Sequence, residues 1–146
     1  GLLDERMCGA GTLDERMKRR SIYFMIKRSK LIPSMQLFDS PEPLVSQGSR
    51  PATIIAPQAL HFMNNGQVRA SAVELAKQLK AQPDTATAVA LGYQTVLGRD
   101  PTLREQKSIA SFIDVQEKSY PNTGRELALA DFVQVLFGLN EFIYVQ

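Results

Sequence analysis

The sequence predicts a mainly helical protein: a single compact, bundle-like domain of four to five helices, with one or two short strands in its N-terminal third. Three observations predict this class. Apolar residues recur at helical spacing over most of the chain after residue 57. Residues that begin or end helices flank these stretches. Residues 21–28 are rich in β-branched and aromatic side chains, and Ile22, Phe24 and Ile26 alternate with other residues as in a strand.

The N-terminal third is predicted to contain a leading segment, a strand and a short helix. Residues 1–17 should be extended or partly disordered, and residues 18–146 should form the single mostly helical domain. Residues 21–28 are interpreted as a strand with Ile22, Phe24 and Ile26 facing inward. Residues 31–38 are predicted to form a short helix that tolerates Pro33 in its first turn.

The helices that follow carry recognisable start and stop signals. Val68, Ala72, Leu75, Ala76 and Leu79 fall on one helical face. Residues 127–137 are apolar around most of the circumference, which predicts a central core helix. Residues 139–145 are either a short helical turn or an edge strand. The boundary signals are Pro57 in a first turn, Asn64 to Gly66 at a stop, Pro83 to Thr85 as a cap, Gly98 at a C-terminus and a capping box of Thr102 with Glu105.

Composition is that of an ordinary globular protein of 146 residues, a length that can bury a normal core. Formal net charge is only +2, but six of the 17 Lys and Arg residues lie within residues 18–30, which we call the basic segment. Cations flank an apolar centre there. The segment could bind phosphate, rest on a membrane surface, or pair with carboxylates elsewhere in the protein.

Known catalytic and cofactor motifs are missing from the sequence. A single cysteine, Cys8, and a single histidine, His61, exclude an internal disulfide and Cys-rich or His-rich metal clusters within this chain. Only Tyr23 could stack a base on the polar face of the predicted strand, so nucleic-acid binding is disfavoured. We therefore predict no catalytic residues, no metal site and no cofactor, and the sequence favours a chain that is not an enzyme by itself.

No apolar run reaches the ~20 residues of a membrane-spanning helix, and no secretory signal peptide is visible. The chain begins with Gly1 rather than Met. We interpret it as a piece of a longer protein whose targeting information lies elsewhere.

Several short strings occur together in a fixed order. They are RRSIY at residues 19–23, KRS at 27–29, FDSP at 38–41, APQAL at 56–60 with MNN at 63–65, LGRDP at 97–101 and LNEF at 139–142. Together they resemble the planctomycete secreted family known as domain of unknown function 1553. The resemblance covers roughly residues 12–146.

The resemblance implies a position within a larger protein and a cellular location, but no activity. Members are C-terminal domains of large exported bacterial proteins, often with a cytochrome-c-like haem domain upstream, so haem would belong to an absent domain. The expected location is periplasmic or extracellular. The residues that recur in the family and that we single out as ligand or interdomain candidates are Arg19, Arg20, Tyr23, Arg28, Asp39, Gln58, Asn64 and Arg99.

Two functional hypotheses follow from these observations. The first is a non-catalytic interaction module that docks on upstream domains of the same protein or on an extracellular polymer, with Arg20 and Arg28 paired with Asp39 and other carboxylates. The alternative is part of an enzyme or binding site for anionic polysaccharide, in which Arg20, Arg28 and Arg99 clamp sulfate or carboxylate groups.

Overall fold

The computed structural model describes residues 10–27, 29–40, 48 and 56–144. The chain divides into two compact units, Gly1–Leu60 and His61–Gln146. The described residues are mainly helical, which confirms the predicted fold class, while the predicted boundary after residue 17 stays a prediction. The α-helices are α1 (Pro33–Leu37), α2 (Ala56–Asn64), α3 (Gly66–Lys80), α4 (Thr85–Leu97), α5 (Leu103–Ser119), α6 (Gly124–Phe137) and α7 (Asn140–Ile143).

Helices α3, α4 and α5 begin where the sequence places capping residues. Asn65 accepts hydrogen bonds from the backbone amides of α3, and Asp84 accepts one from Thr87 at the start of α4. Thr102 and Glu105 form the predicted capping box of α5, with Glu105 accepting from the Thr102 amide at 2.7 Å. Gly98 ends α4 with a φ of 71°, a left-handed conformation that a side chain would strain.

The core of the second unit is built around α6, as its all-round apolar sequence predicts. This helix packs chiefly against α3 and α5. Phe132 is fully buried and stacks on Tyr93, with ring centroids 6.1 Å apart. Gly92 allows this approach, because a Cβ atom there would lie 2.7 Å from the Phe132 ring. The fully or almost fully buried members are Ala72, Leu75, Ala76, Leu79, Ala88, Val89, Tyr93, Ile113, Ala128, Leu129, Ala130, Phe132, Val133 and Leu136.

The last described element resolves an open alternative. Residues 139–145 were compatible with a helical turn or an edge strand, and the chain forms the short helix α7 there. Phe142 of α7 contacts Phe62 and Phe137, with ring centroids 5.9 Å and 5.1 Å apart. Aromatic packing within the second unit thus accompanies the helical turn.

The predicted strand at residues 21–28 is wrong over its described part, residues 21–27. Ser21–Tyr23 forms a 3-10 turn, and the ladder is limited to isolated bridges of Thr12 with Phe24 and of Lys27 with Lys30. Local bonding explains the difference, because the amide of Tyr23 donates to the Arg20 carbonyl at 3.0 Å. Alternation favours a strand only where a neighbouring strand and a buried face are supplied.

The inward orientation predicted for this stretch is also wrong. Ile22 is 83% exposed and Ile26 is 73% exposed, whereas Phe24 is half-buried. Elsewhere in the first unit, α1 begins with Pro33 in its first turn as predicted. The Glu15 carboxylate caps this helix by accepting a hydrogen bond from the Ser34 amide at 3.0 Å.

Candidate interaction site

The basic segment is positioned by a few backbone hydrogen bonds. The amide of Met25 donates to the Thr12 carbonyl at 2.8 Å, and the amide of Thr12 donates to the Tyr23 carbonyl at 3.2 Å. The amide of Lys30 donates to the Lys27 carbonyl at 3.2 Å, and these two residues form an isolated antiparallel bridge. These bonds hold the segment in an irregular conformation that exposes many of its side chains.

Four cations of the segment face water. Lys18, Arg20, Lys27 and Lys30 are exposed, and none of them forms an ion pair or side-chain hydrogen bond with a described residue. The pairing expected between Arg20 and Asp39 is therefore wrong. The proposed pairing of Arg28 lies outside the described residues.

Arg19 differs from the four exposed cations. Its guanidinium lies over the Tyr23 ring, 3.8 Å from the ring centroid, in a cation–π contact. Its Nε and Nη2 atoms are shielded from solvent and have no hydrogen-bond partner among the described residues. Buried guanidinium donors without an acceptor are costly, so this pair of atoms is an unusual feature of the first unit.

The other candidates of the first half of the chain have separate surroundings. Asp39 adopts a positive φ of 54° just after α1 and is half-buried. Gln58 is only 4% exposed, and its Nε2 donates to the Leu37 carbonyl at 2.9 Å, which ties α2 to the end of α1. Asn64 is exposed at the end of α2. These contacts give Gln58 a structural role.

Arg99, the remaining candidate, is enclosed by carboxylates of its own unit. Its Nε donates to Glu141 at 2.6 Å and its Nη2 donates to both Glu141 and Glu105, at 2.9 and 2.8 Å. Its Nη1 donates to the Asp100 carbonyl and to Glu105, at 3.0 and 3.1 Å. All five N–H donors of the guanidinium are thus used.

The electrostatics of this cluster follow from the pairing. Hydrogen bonds from Arg99 and from the Thr102 amide lower the pKa of Glu105 to about 2. The hydrogen bond from Arg99 also lowers the pKa of Glu141, and burial raises the pKa of Tyr93, whose ring lies beside the guanidinium. Arg99 therefore joins the end of α4, the start of α5 and α7, and it has no donor left for a ligand.

The sequence profile described as "Protein of unknown function (DUF1553)" matches residues 7–113. The match spans most of the chain and includes both the basic segment and Arg99. The chain belongs to the DUF1553 family. No curated protein and no solved structure matches it. The family resemblance expected from the sequence is confirmed, and the family description names no activity.

A second polar network of this DUF1553 chain was missed by the sequence analysis. Arg69 on α3 donates to Asp131 at 2.6 Å and to Gln134 at 3.0 Å, both on α6. Tyr120 donates to the other Asp131 oxygen at 2.8 Å, a bond that raises the pKa of Tyr120. Gln134 in turn donates to the Phe62 and Met63 carbonyls. These partners are up to 72 residues apart, so no local pattern marks them.

The first unit of this DUF1553 chain also contains an open cleft of about 720 Å³ that the sequence did not predict. Its charged lining includes Asp14, Glu15, Arg16 and Lys30. Asp14 pairs with Arg16 at 3.1 Å, and Glu15 caps α1. The two carboxylates have structural partners and do not form an acid–base pair.

Within the described residues, no group of three or more His, Cys, Asp and Glu side chains is arranged to hold a metal ion. His61 lies edge-on to Phe62, with ring centroids 5.9 Å apart. Cys8 lies outside the described residues. None of the described helices is both long enough and apolar enough to span a membrane.

Proposed function

We propose that this DUF1553 chain is a non-catalytic interaction module that docks on a carboxylate-bearing surface of the upstream domains of the same protein. The basic segment is the docking surface. We also propose, from the sequence resemblance, that the protein is exported from a planctomycete. An upstream domain of the same protein would carry a haem group.

The observation that carries the proposal is the exposure of Ile22 and Ile26 among unpaired cations. Both side chains keep most of their surface in water, and burying such apolar surface in an interface favours association. Lys18 and Arg20 precede them and Lys27 and Lys30 follow. Such a surface suits a partner with apolar side chains rimmed by Asp and Glu.

A protein partner explains this surface better than an anionic polysaccharide does. Sulfate and carboxylate groups of a polysaccharide would engage the cations but would bury little of Ile22 and Ile26. The arginine clamp that favoured polysaccharide also loses a member, since the five donors of Arg99 are occupied within its own unit. We therefore expect the binding experiments below to show no tight binding of polysaccharide.

Calorimetric titration of the chain with the separately expressed upstream domains of the same gene product tests the proposal. We expect binding that Ile22→Asp combined with Ile26→Asp weakens by about tenfold or more, because charged groups would replace the apolar contact. Leu103→Asp is the matched control, since Leu103 is a similarly exposed apolar residue of the second unit, and it should leave the affinity unchanged.

Charge reversal supplies the second arm of the test. Lys18→Glu with Lys27→Glu should slow association and flatten its salt dependence, whereas Arg104→Glu on α5 should not. The proposal is overturned by absence of binding or by equal sensitivity to Leu103→Asp. It is also overturned by tight binding of a sulfated polysaccharide that depends on the cations and ignores Ile22 and Ile26.

A further inference from the structure

Arg19 offers one specific edge of its guanidinium to a ligand. The two atoms without a partner among the described residues, Nε and Nη2, carry N–H bonds that point in parallel from the same side of the planar group. This fork matches the spacing of the two oxygens of a carboxylate. Both unmatched donors can thus be satisfied by a single group.

Tyr23 fixes the direction from which that group must come. Its ring lies 3.8 Å from the guanidinium carbon, which covers one face of the plane. Because Nε and Nη2 are shielded from solvent, a ligand reaches the fork in the plane of the guanidinium only when the groups that cover these atoms move aside. The stack also limits the rotamer freedom of Arg19, so less conformational entropy is lost on binding.

We infer that the Nε–Nη2 edge of Arg19 is the binding site for one Asp or Glu carboxylate of the docking partner. The inference rests on the proposed function and names the residue that determines its specificity. The exposed cations Lys18, Arg20, Lys27 and Lys30 keep their hydration and act mainly on the association rate. Arg19 is shielded from water, so its pair contributes to residence time and discriminates a forked carboxylate from a single charge.

The site is tested first without the partner. The Nε–H signals of the arginines in the 146-residue chain are followed by nitrogen–proton NMR during titration with sodium acetate, sodium sulfate or sodium chloride. We expect the Arg19 signal to move saturably with acetate, while the exposed Arg20 shows only the weak, non-saturating drift seen with chloride. Arg19→Lys assigns the signal by removing it.

Two results would overturn the inference. One is an Arg19 signal that acetate leaves unmoved, as expected if a carboxylate of this chain already holds the fork in solution. The other is saturation by sulfate with no response to acetate, which would assign the edge to a tetrahedral oxyanion.

The second measurement uses the upstream domains as the probe. Arg19→Lys should weaken their affinity by about thirtyfold or more, mainly through faster dissociation, because lysine cannot form the fork. Arg20→Lys is the matched control and should change affinity by less than about twofold. Equal effects of the two substitutions on the dissociation rate would contradict a special role for Arg19.

The two proposals can fail separately. Saturable acetate binding at Arg19 without binding of the upstream domains would retain the carboxylate site and reject the docking partner. Docking that depends on Ile22 and Ile26 but is unchanged by Arg19→Lys would retain the proposed function and reject the carboxylate assignment.

Discussion

The two units of this DUF1553 chain use arginine in opposite ways. Arg99 in the second unit has its five donors matched by Glu105, Glu141 and a backbone carbonyl. Arg19 in the first unit is stacked on Tyr23, and two of its shielded donors have no acceptor among the described residues. Arg99 completes a structure within its own unit, whereas Arg19 has donors unmatched by the described residues, which we propose bind a carboxylate of a partner.

The same contrast holds for apolar residues. The second unit buries a core of large side chains around α6 and exposes scattered apolar residues such as Leu103, while the first unit exposes Ile22 and Ile26 close together between cations that form no ion pair with a described residue. Folding of the second unit is thus explained by contacts within it. The exposed apolar side chains and unmatched donors of the first unit have no such explanation within the described residues. We therefore propose that they serve in binding.

The largest loss of stability is expected on truncating a fully buried ring in the core of the second unit. Phe132→Ala should lower the free energy of unfolding by about 3–5 kcal/mol, because it removes a fully buried ring and leaves a cavity beside Tyr93. Urea unfolding followed by circular dichroism measures this loss. Ile22→Ala is the control and should change stability by less than about 0.5 kcal/mol. Similar losses would remove the distinction between the two units.

A smaller effect is expected at the matched arginine. Arg99→Lys should lower the free energy of unfolding by about 1 kcal/mol, since lysine cannot bond both carboxylates with a planar fork. Arg104→Lys, at an exposed position of α5, should be neutral. Thermal unfolding of the two variants compares them directly. A neutral Arg99→Lys would show that the ion-pair cluster does not stabilise the second unit.

Alanine substitutions at two glycines near helix ends should change stability in opposite directions. Gly98→Ala should cost about 1 kcal/mol, because the position has a φ of 71°. Gly66→Ala should stabilise by up to about 0.5 kcal/mol, since a Cβ atom there meets nothing within 4 Å and glycine is flexible in the unfolded chain. Denaturant midpoints of both variants measure the difference. Equal shifts in one direction would contradict the left-handed cap.

The smallest effect is a pH dependence of the Arg99 cluster. The folded-state pKa of Glu105 is depressed from 4.5 to about 2. Its contribution to stability is therefore present above about pH 4.5 and is lost as the pH falls toward about 2. Glu105→Gln keeps a side-chain acceptor for the cap but cannot titrate. The stability difference between wild type and variant should shrink across this range, and a constant difference would refute the pairing.

Much of the second unit was predictable because its signals are local. The cap at Asp84, the capping box of Thr102 and Glu105 and the apolar circumference of α6 each depend on residues within a few turns of one another. Each of these predictions is confirmed. The polar network of Arg69 with Asp131 was missed because its members lie 62 residues apart and share no spacing that a sequence displays.

The strand predicted within the basic segment is not formed, for a physical reason. Alternation of Ile22, Phe24 and Ile26 along the chain predicts a strand only if one face is covered, and the described residues supply single bridges instead of a ladder. The charge pattern predicted carboxylate pairing, which Arg20 does not form with a described residue. Among the candidate residues, Arg99 could be recognised but not its partner Glu141, 42 residues away.

Amide hydrogen exchange of Met25 in an Arg19→Met variant tests the central contrast most directly, because this amide bonds to Thr12 and reports opening of the first unit. Removing a charge with two shielded, unmatched donors relieves about 2–6 kcal/mol in all, at about 1–3 kcal/mol per donor, whereas the desolvated stack on Tyr23 contributes about 2 kcal/mol. The account predicts slower exchange, equivalent to a gain of about 2 kcal/mol. Faster exchange, with a loss like that expected for Arg99→Lys, would show that Arg19 is already paired within the chain and would contradict it.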